Sequence, residues 1–122
     1  MKLLLIILPC LCIIGCGVPA DKYGRKPVDV CRAFLNAVAS NDIQQAQTFF
    51  TPDEVRNVLY HEGSFSNYCA PFQKYRVSTL GPSERGPGGC YWIHVYGVDG
   101  AGQHIPYHEL VAKMCGNEWF LL

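Results

Sequence analysis

The spacing of apolar residues changes once along the chain, and that change limits the fold more than any other feature. Between residues 27 and 50 apolar side chains recur every three or four positions, which is the period of an amphipathic helix. From Phe72 onward the period is two, and residues 90–98 are rich in β-branched and aromatic side chains, as in a strand. Helices followed by strands are typical of the α+β class.

Three short helices are predicted before the strands. The first covers residues 27–39 and has Pro27 at its first position, where proline is favoured. Asp42 is expected to cap the second, with Gln45 in the capping-box position three residues on. Thr51 is expected to cap the third in the same way. Residues 61–71 are predicted to be a connection without regular structure.

Four strands are predicted after that connection. Asp99-Gly100 marks a hairpin, and Pro106 indicates a bulge or an edge in the strand that follows it. We therefore expect N-terminal helices packed on one face of a curved four-stranded antiparallel sheet. The predicted strands cover residues 72–79, 90–98, 104–114 and 118–122.

The N-terminus has the pattern of an export signal. Lys2 is followed by an apolar run that ends at Gly15, directly before Cys16. The run is shorter than the roughly 20 residues of a membrane-spanning helix and is typical of a signal peptide. We predict a signal peptide at residues 1–15, a modified cysteine with a flexible tether at 16–26, and a single α+β domain at 27–122.

The end of this leader, Ile13-Ile14-Gly15-Cys16, resembles the bacterial lipoprotein box, although leucine is the usual first residue. The resemblance implies cleavage before Cys16, a diacylglyceryl group on its sulfur, and the membrane as a partner. In a Gram-negative cell, Gly17 after the cysteine implies the outer membrane, facing the periplasm or the surface. The alternative is an ordinary signal peptide, or a short anchor, with an incidental cysteine.

The charge balance argues against a nucleic-acid partner. Ten Lys and Arg oppose ten Asp and Glu, and without Lys2 nine cations remain. Phosphate binding requires a basic face, and an even balance does not indicate one.

The rest of the chain resembles nuclear-transport-factor-2-like (cystatin-like) domains. The resemblance lies in the opening helix, Asn41-Asp42, a second helix containing Ala46, and the last strand around Trp119. It also includes residues 91–98 followed by Asp99-Gly100. Bacterial lipoproteins of unknown function often carry this pattern. The resemblance implies helices on a curved sheet, and related domains include isomerases with an acidic base in a pocket.

Four cysteines follow the leader, and export would permit them to form disulfides. Four cysteines allow three pairings, of which Cys31–Cys69 and Cys90–Cys115 are the suggested ones. A reactive thiol assisted by histidine is the alternative. No Cys-x-x-Cys occurs, which disfavours zinc binding through cysteines.

Other residues could carry chemistry. The chain has four histidines after the leader, of which His94, His104 and His108 could meet on neighbouring strands and bind zinc; the fourth is His61. Surface or hydrogen-bonded histidines are the commoner case, so we predict no metal and no cofactor. Glu109 is the one candidate for a buried catalytic acid, with Tyr107 or Tyr75 as its donor. An ordinary salt bridge or an exposed position is the commoner case for such a residue, so we predict no catalytic residue.

The second strand indicates a surface for a partner. Trp92, His94 and Tyr96 fall on the face opposite Tyr91, Ile93 and Val95. If the helices cover the aliphatic face, the other is an aromatic patch of the kind found at partner sites and dimer interfaces. In the alternative register Trp92 lines the core.

The patterns together predict a membrane-anchored, non-enzymatic binding module outside the cytoplasm. Its partner would be a protein or a small apolar ligand, with a homodimer as a further option. One alternative is an inhibitor or immunity-type lipoprotein against a toxin, lysozyme or phage. The other is a pocket enzyme of the isomerase or dehydratase kind.

Overall fold

The computed structural model describes residues 17–74, 76–81, 83–98 and 101–122, with backbone alone for residues 74, 76–79 and 104–107. The predicted signal peptide and Cys16 lie outside the described residues. So do Tyr75 and the hairpin turn at Asp99-Gly100.

Four helices precede the sheet, and the first has the predicted bounds. The two predicted caps are confirmed, because Asp42 Oδ1 accepts a hydrogen bond from the Gln45 amide at 3.1 Å and Thr51 Oγ1 accepts one from the Glu54 amide at 3.3 Å. Such caps satisfy amides that have no partner within the helix. The helices are α1 (Pro27–Ala39), α2 (Ile43–Gln47), α3 (Pro52–Glu62) and α4 (Phe65–Lys74).

Helix α4 corrects the prediction of an irregular connection at residues 61–71. Ser64 Oγ accepts a hydrogen bond from the Asn67 amide at 3.1 Å, so the helix has a capped start. Pro71 lies within it, at the cost of one backbone hydrogen bond. Burial of one helical face outweighs this cost, and the first strand begins later than predicted, at Arg76. The buried residues of that face are Phe65, Cys69 and Phe72.

The sheet is antiparallel, with four strands on its main path in the order β1-β3-β4-β5. A two-residue strand, β2, pairs with β3 beyond the end of β1. The α+β class and the order of helices before strands are therefore confirmed. The strands are β1 (Arg76–Leu80), β2 (Glu84–Arg85), β3 (Tyr91–Val98), β4 (His104–Cys115) and β5 (Glu118–Leu121).

The predicted irregularity at Pro106 is a bulge. Val95 of β3 lies opposite His108, whereas the next residue, Tyr96, lies opposite Pro106, so β4 carries one extra residue there. Pro106 does not mark an edge, because β4 lies between β3 and β5.

The core lies between the helices and one face of the sheet, which we call the inner face. Along β3 every second residue is buried, beginning with Tyr91. Phe34 of α1 packs edge-on against Phe50 and Phe72, with ring centroids 5.3 and 5.5 Å apart. The inner face contributes Tyr91, Ile93, Val95, Leu110, Ala112, Trp119 and Leu121.

Residues 17–26, which we predicted to be a flexible tether, lie against the domain instead. The Lys22 amide donates to the Asn117 carbonyl at 2.9 Å, and the Trp119 indole N–H donates to the Pro19 carbonyl at 3.1 Å. Asp21 is only 8% exposed. The segment has no apolar period, but hydrogen bonds to the β4–β5 turn and to β5 hold it in place.

Candidate partner-binding face

The predicted patch residues lie on the outer face of the sheet. Trp92, His94 and Tyr96 are half-buried and alternate with the buried residues of β3. The register is the one in which Tyr91, Ile93 and Val95 point into the core. Because the described helices pack on the inner face, the three side chains share a surface that those helices leave uncovered.

Two glycines set the position of this aromatic row. Gly86 has extended backbone angles, φ −110° and ψ −175°, and a Cβ atom there would overlap the Trp92 indole. A Cβ atom at Gly81 would lie 3.3 Å from the Tyr96 ring. The segment between β1 and β3 therefore runs beside β3 and comes into close contact with Trp92 and Tyr96 at these two glycines. The positions of these glycines in the sequence do not reveal such a close approach.

His94 lies between two carboxylates on this face. Its Nδ1 is 3.3 Å from Glu109 Oε2 on β4, and its Nε2 is 3.8 Å from Glu84 Oε2 on β2. All three side chains reach solvent. His94 can donate hydrogen bonds to a partner on this face, and the Glu84 and Glu109 carboxylates can accept hydrogen bonds from the same partner.

Glu109, the candidate acid of the enzyme alternative, lies on the outer face beside His94 and is exposed, which is the ordinary position that we favoured for it from the sequence. The side chain of its proposed donor Tyr107 lies outside the description. The inner face, where such a pocket would open, is filled by side chains such as Phe34, Ile93 and Leu110, each at most 1% exposed.

The histidines do not share one face. His108 contacts Phe72 of α4, with ring centroids 4.6 Å apart, whereas His94 lies on the outer face. Burial lowers the pKa of His108, and the nearby Glu109 charge opposes this shift. His61 lies on α3, and the side chain of His104 is outside the description. Among the residues that the structure describes, no three His, Cys, Asp or Glu side chains are grouped to hold a metal ion.

The four cysteines after the leader are free thiols in the structure, so neither suggested pair is bonded there. Cys31 of α1 and Cys69 of α4 are fully buried. Burial raises the pKa of Cys31 to about 12 and that of Cys69 to about 11. Both thiols are therefore protonated and weakly nucleophilic, which disfavours the reactive-thiol alternative for them.

Cys90 and Cys115 are half-buried, and they do not lie directly opposite each other across the β3–β4 pair. Tyr91 pairs with Ala112, so continuing the register places Cys90 opposite Lys113, two residues before Cys115. Diagonal neighbours in a sheet are about 7–8 Å apart, and a disulfide between them would require the backbone to move.

A second surface, missed from the sequence, lies along α3. No residue of this helix is buried, and Tyr60 is 86% exposed. A groove of about 450 Å³ runs beside it. The sequence did not reveal this surface because α3 has no strong apolar pattern to analyse. Its aliphatic residues are only Val55, Val58 and Leu59. The groove is lined by Glu54, Asn57, Val58, His61, Glu62, Tyr68 and Leu122.

Comparisons of the chain with models of protein families, with curated proteins and with solved structures find no match. Within the described ranges, no helix combines the length and apolar character needed to cross a membrane.

Proposed function

We propose that the chain is a lipid-anchored, non-enzymatic binding module that acts outside the cytoplasm and holds its partner on the outer face of its sheet. The observation that carries the proposal is the row formed by Trp92, His94 and Tyr96, half-exposed on a face that the described helices leave uncovered. The partner is a protein or a small apolar ligand.

The chemistry of the row favours binding. Tryptophan and tyrosine bury large areas and dominate many interfaces energetically. Gly86 lets the backbone pack against Trp92, so the indole is held in position before a partner arrives, which lowers the entropy cost of binding. His94 and its two carboxylates supply polar groups that orient the partner.

The apolar area extends beyond β3. Val111 of β4 lies opposite Trp92 and is half-buried, as is Phe120 of β5. Phe120 pairs with Lys113 on the same outer face, because its neighbours Trp119 and Leu121 point into the core. A surface across three strands suits a protein partner or a second copy of the chain.

The filled inner face supports binding over catalysis. An isomerase-like or dehydratase-like pocket would open between helices and sheet, where Phe34, Ile93 and Leu110 pack. The acid that would serve it, Glu109, lies on the outer face. The enzyme therefore ranks below the binding module, with no metal or cofactor proposed.

Two further parts of the proposal rest on sequence resemblance. The lipoprotein box implies a lipid on Cys16 and an outer-membrane location in a Gram-negative cell. The helix and strand patterns imply a nuclear-transport-factor-2-like domain, and the α+β order is compatible with it. An inhibitor or immunity-type lipoprotein against a toxin, lysozyme or phage would use the same outer face.

Partner recovery from envelope extracts tests the proposal. The lipidated full chain, its Trp92→Ala and Tyr96→Ala variants, and a Tyr60→Ala control would be compared. Truncating an interface anchor costs about 2 kcal/mol or more, or about 30-fold in affinity. We expect that loss for both outer-face variants and none for the control, whose aromatic ring is exposed on α3.

Two results would contradict the assignment of the face. Undiminished recovery with Trp92→Ala and Tyr96→Ala would remove the outer face from the proposal. Loss with Tyr60→Ala alone would move the binding surface to the groove beside α3. Circular dichroism of each variant would exclude loss of folding as the cause.

The anchor has its own test. Cys16→Ser should abolish palmitate labelling and leave an uncleaved or soluble form. Labelling that persists in this variant would refute the lipid on Cys16.

A further inference from the structure

The domain is held from the first residue after Cys16. The Tyr91 hydroxyl donates to the Gly17 carbonyl at 3.4 Å, and the Trp119 indole N–H donates to the Pro19 carbonyl at 3.1 Å. Val18, between them, packs against the core. The chain therefore contacts inner-face residues of β3 and β5 from Gly17 onward, and no flexible tether separates Gly17 from the domain.

A buried carboxylate closes the segment. Asp21 accepts hydrogen bonds from the backbone amides of Trp119 at 3.1 Å, Tyr23 at 2.9 Å and Arg25 at 2.9 Å. The Arg25 guanidinium lies 3.1 Å from the same carboxylate. These contacts hold residues 21–25 in a turn, and the hydrogen bond from the Trp119 amide joins this turn to β5.

Because Gly17 contacts the domain, residues 17–26 do not separate the domain from a lipid on Cys16 as a flexible tether would. Ten extended residues reach roughly 35 Å, whereas neighbouring Cα atoms such as those of Cys16 and Gly17 are about 3.8 Å apart. A lipid on the Cys16 sulfur would therefore lie beside the end of the sheet that holds Tyr91 and Trp119. With that lipid inserted in a bilayer, this end of the sheet would lie at the bilayer surface.

The surface at this end suits lipid headgroups. Tyr23 is 62% exposed, and the charged groups of Lys22 and Arg25 each lie 5.1 Å from its ring centroid. Lys26 is exposed beside them. Tyrosine favours the membrane interface, and basic side chains are attracted to anionic lipids.

The local charge is net positive where it meets solvent. The Asp21 carboxylate has no exposed surface. Glu118 is partly exposed, 3.8 Å from Lys22 and 3.4 Å from Arg25. Among the described residues, only Lys22 and Arg25 face these two carboxylates. The exposed Asp29 accepts the Lys26 amide at 2.9 Å and pairs with Arg32. With Arg32 and Lys26 included, the four cations described at this end exceed its three carboxylates by one, so the excess charge is positive.

We propose that residues 17–26 are a membrane-docking segment, which lays Tyr23, Lys22, Arg25 and Lys26 into the headgroup layer of an anionic bilayer. The inference rests on the proposed lipid on Cys16, and it adds that the domain has one fixed orientation. Strand β5 begins at this end with Glu118 and runs to Leu121, near the groove lined by Leu122 and α3. The groove thus lies at the end of β5 opposite to residues 17–26, and Tyr60 belongs to the helix that lines this groove.

Depth-dependent quenching tests this orientation. The lipidated full chain would be placed in vesicles containing phosphatidylglycerol and lipids brominated near the headgroup, with tryptophan introduced by Tyr23→Trp or, as the control, by Tyr60→Trp. The emission of the native tryptophans is subtracted with the parent chain. We expect at least twofold stronger quenching for Tyr23→Trp than for Tyr60→Trp.

A separate experiment tests whether the positive charges contribute to membrane docking. Lys22→Glu with Lys26→Glu, or vesicles of phosphatidylcholine alone, should reduce the quenching of the tryptophan introduced by Tyr23→Trp. Equal quenching at both sites would overturn the fixed orientation, and insensitivity to both changes would overturn the anionic lipid.

Palmitate labelling separates this inference from the anchor. Labelling at Cys16 with equal quenching at the two sites overturns the docking segment and leaves the anchored module standing. Absence of labelling overturns both.

Discussion

Replacing Asp21 by alanine should destabilise the whole domain, because its carboxylate is shared by residues far apart in the chain. It accepts the backbone amides of Tyr23 and Arg25 within its own segment and that of Trp119, 98 positions later. The substitution removes the acceptor for all three N–H groups.

The magnitude follows from the burial of those donors. The Trp119 amide bond is buried, and a buried donor left without an acceptor costs about 1–3 kcal/mol. The amides of Tyr23 and Arg25 are partly buried, and each lost bond costs about 0.5–1.5 kcal/mol. We expect a total near 3 kcal/mol, which for a domain of about this size lowers Tm by roughly 15 °C.

Thermal unfolding, monitored by circular dichroism, measures this loss of stability. The pH dependence of the difference in Tm between the parent and the variant provides a second test. Burial raises the pKa of Asp21, but the N–H groups of Arg25, Trp119 and Tyr23 outweigh it, so the pKa lies below the ordinary 3.8. The stabilisation is therefore complete above that ordinary value and is lost as pH falls through the folded pKa. The difference in Tm between parent and variant should narrow below pH 4.

Asp53→Ala is the matched control. Its carboxylate is exposed and pairs only with Arg56 among the described residues, so the cost should stay below about 1 kcal/mol. If Asp21→Ala costs no more than this control, residues 17–26 are a loose tether in solution and the membrane-docking segment loses its basis.

Three further predictions concern other parts of the domain. Gly86→Ala should displace the Trp92 indole, cost about 1–3 kcal/mol and weaken partner recovery as Trp92→Ala does; recovery equal to the parent would contradict the close contact. Without reductant, Cys31 and Cys69 should resist alkylation until the protein unfolds, because burial raises their pKa to about 12 and about 11. Mass spectrometry should then find both alkylated in denaturant, and an unmodified pair would indicate a disulfide instead. His108 should titrate by NMR below 6.5, since partial desolvation of its ring lowers its pKa; a midpoint at or above 6.5 would contradict that desolvation.

Local sequence was sufficient for the elements whose signals lie within a few residues. Helix α1 needed only Pro27 and an apolar face, and both helix caps were predicted from side chains three residues from their amides. Helix α4 was missed because its polar residues and Pro71 resemble a connection. Its helical state is decided by burial of Phe65 and Phe72 in the core, a tertiary contribution that outweighs propensity.

The alternation of residues in the sequence establishes which side chains share a face. Alternation along β3 placed Trp92, His94 and Tyr96 together, because successive side chains of any strand point to opposite sides. That this face is the outer one depends on where the helices pack, and packing between distant elements cannot be read from the alternation. The carboxylates around His94 come from two other strands, and strand register depends on the whole sheet.

The N-terminal segment shows the same division. Its composition is that of a tether, and no local pattern distinguishes Asp21 from a solvated acid. The amide of Trp119 lies 98 positions away and reaches that carboxylate only after the sheet has formed. The sequence therefore determined the elements and their faces, while contacts between distant residues decided the partner face and the attachment of residues 17–26, because such contacts carry no local period.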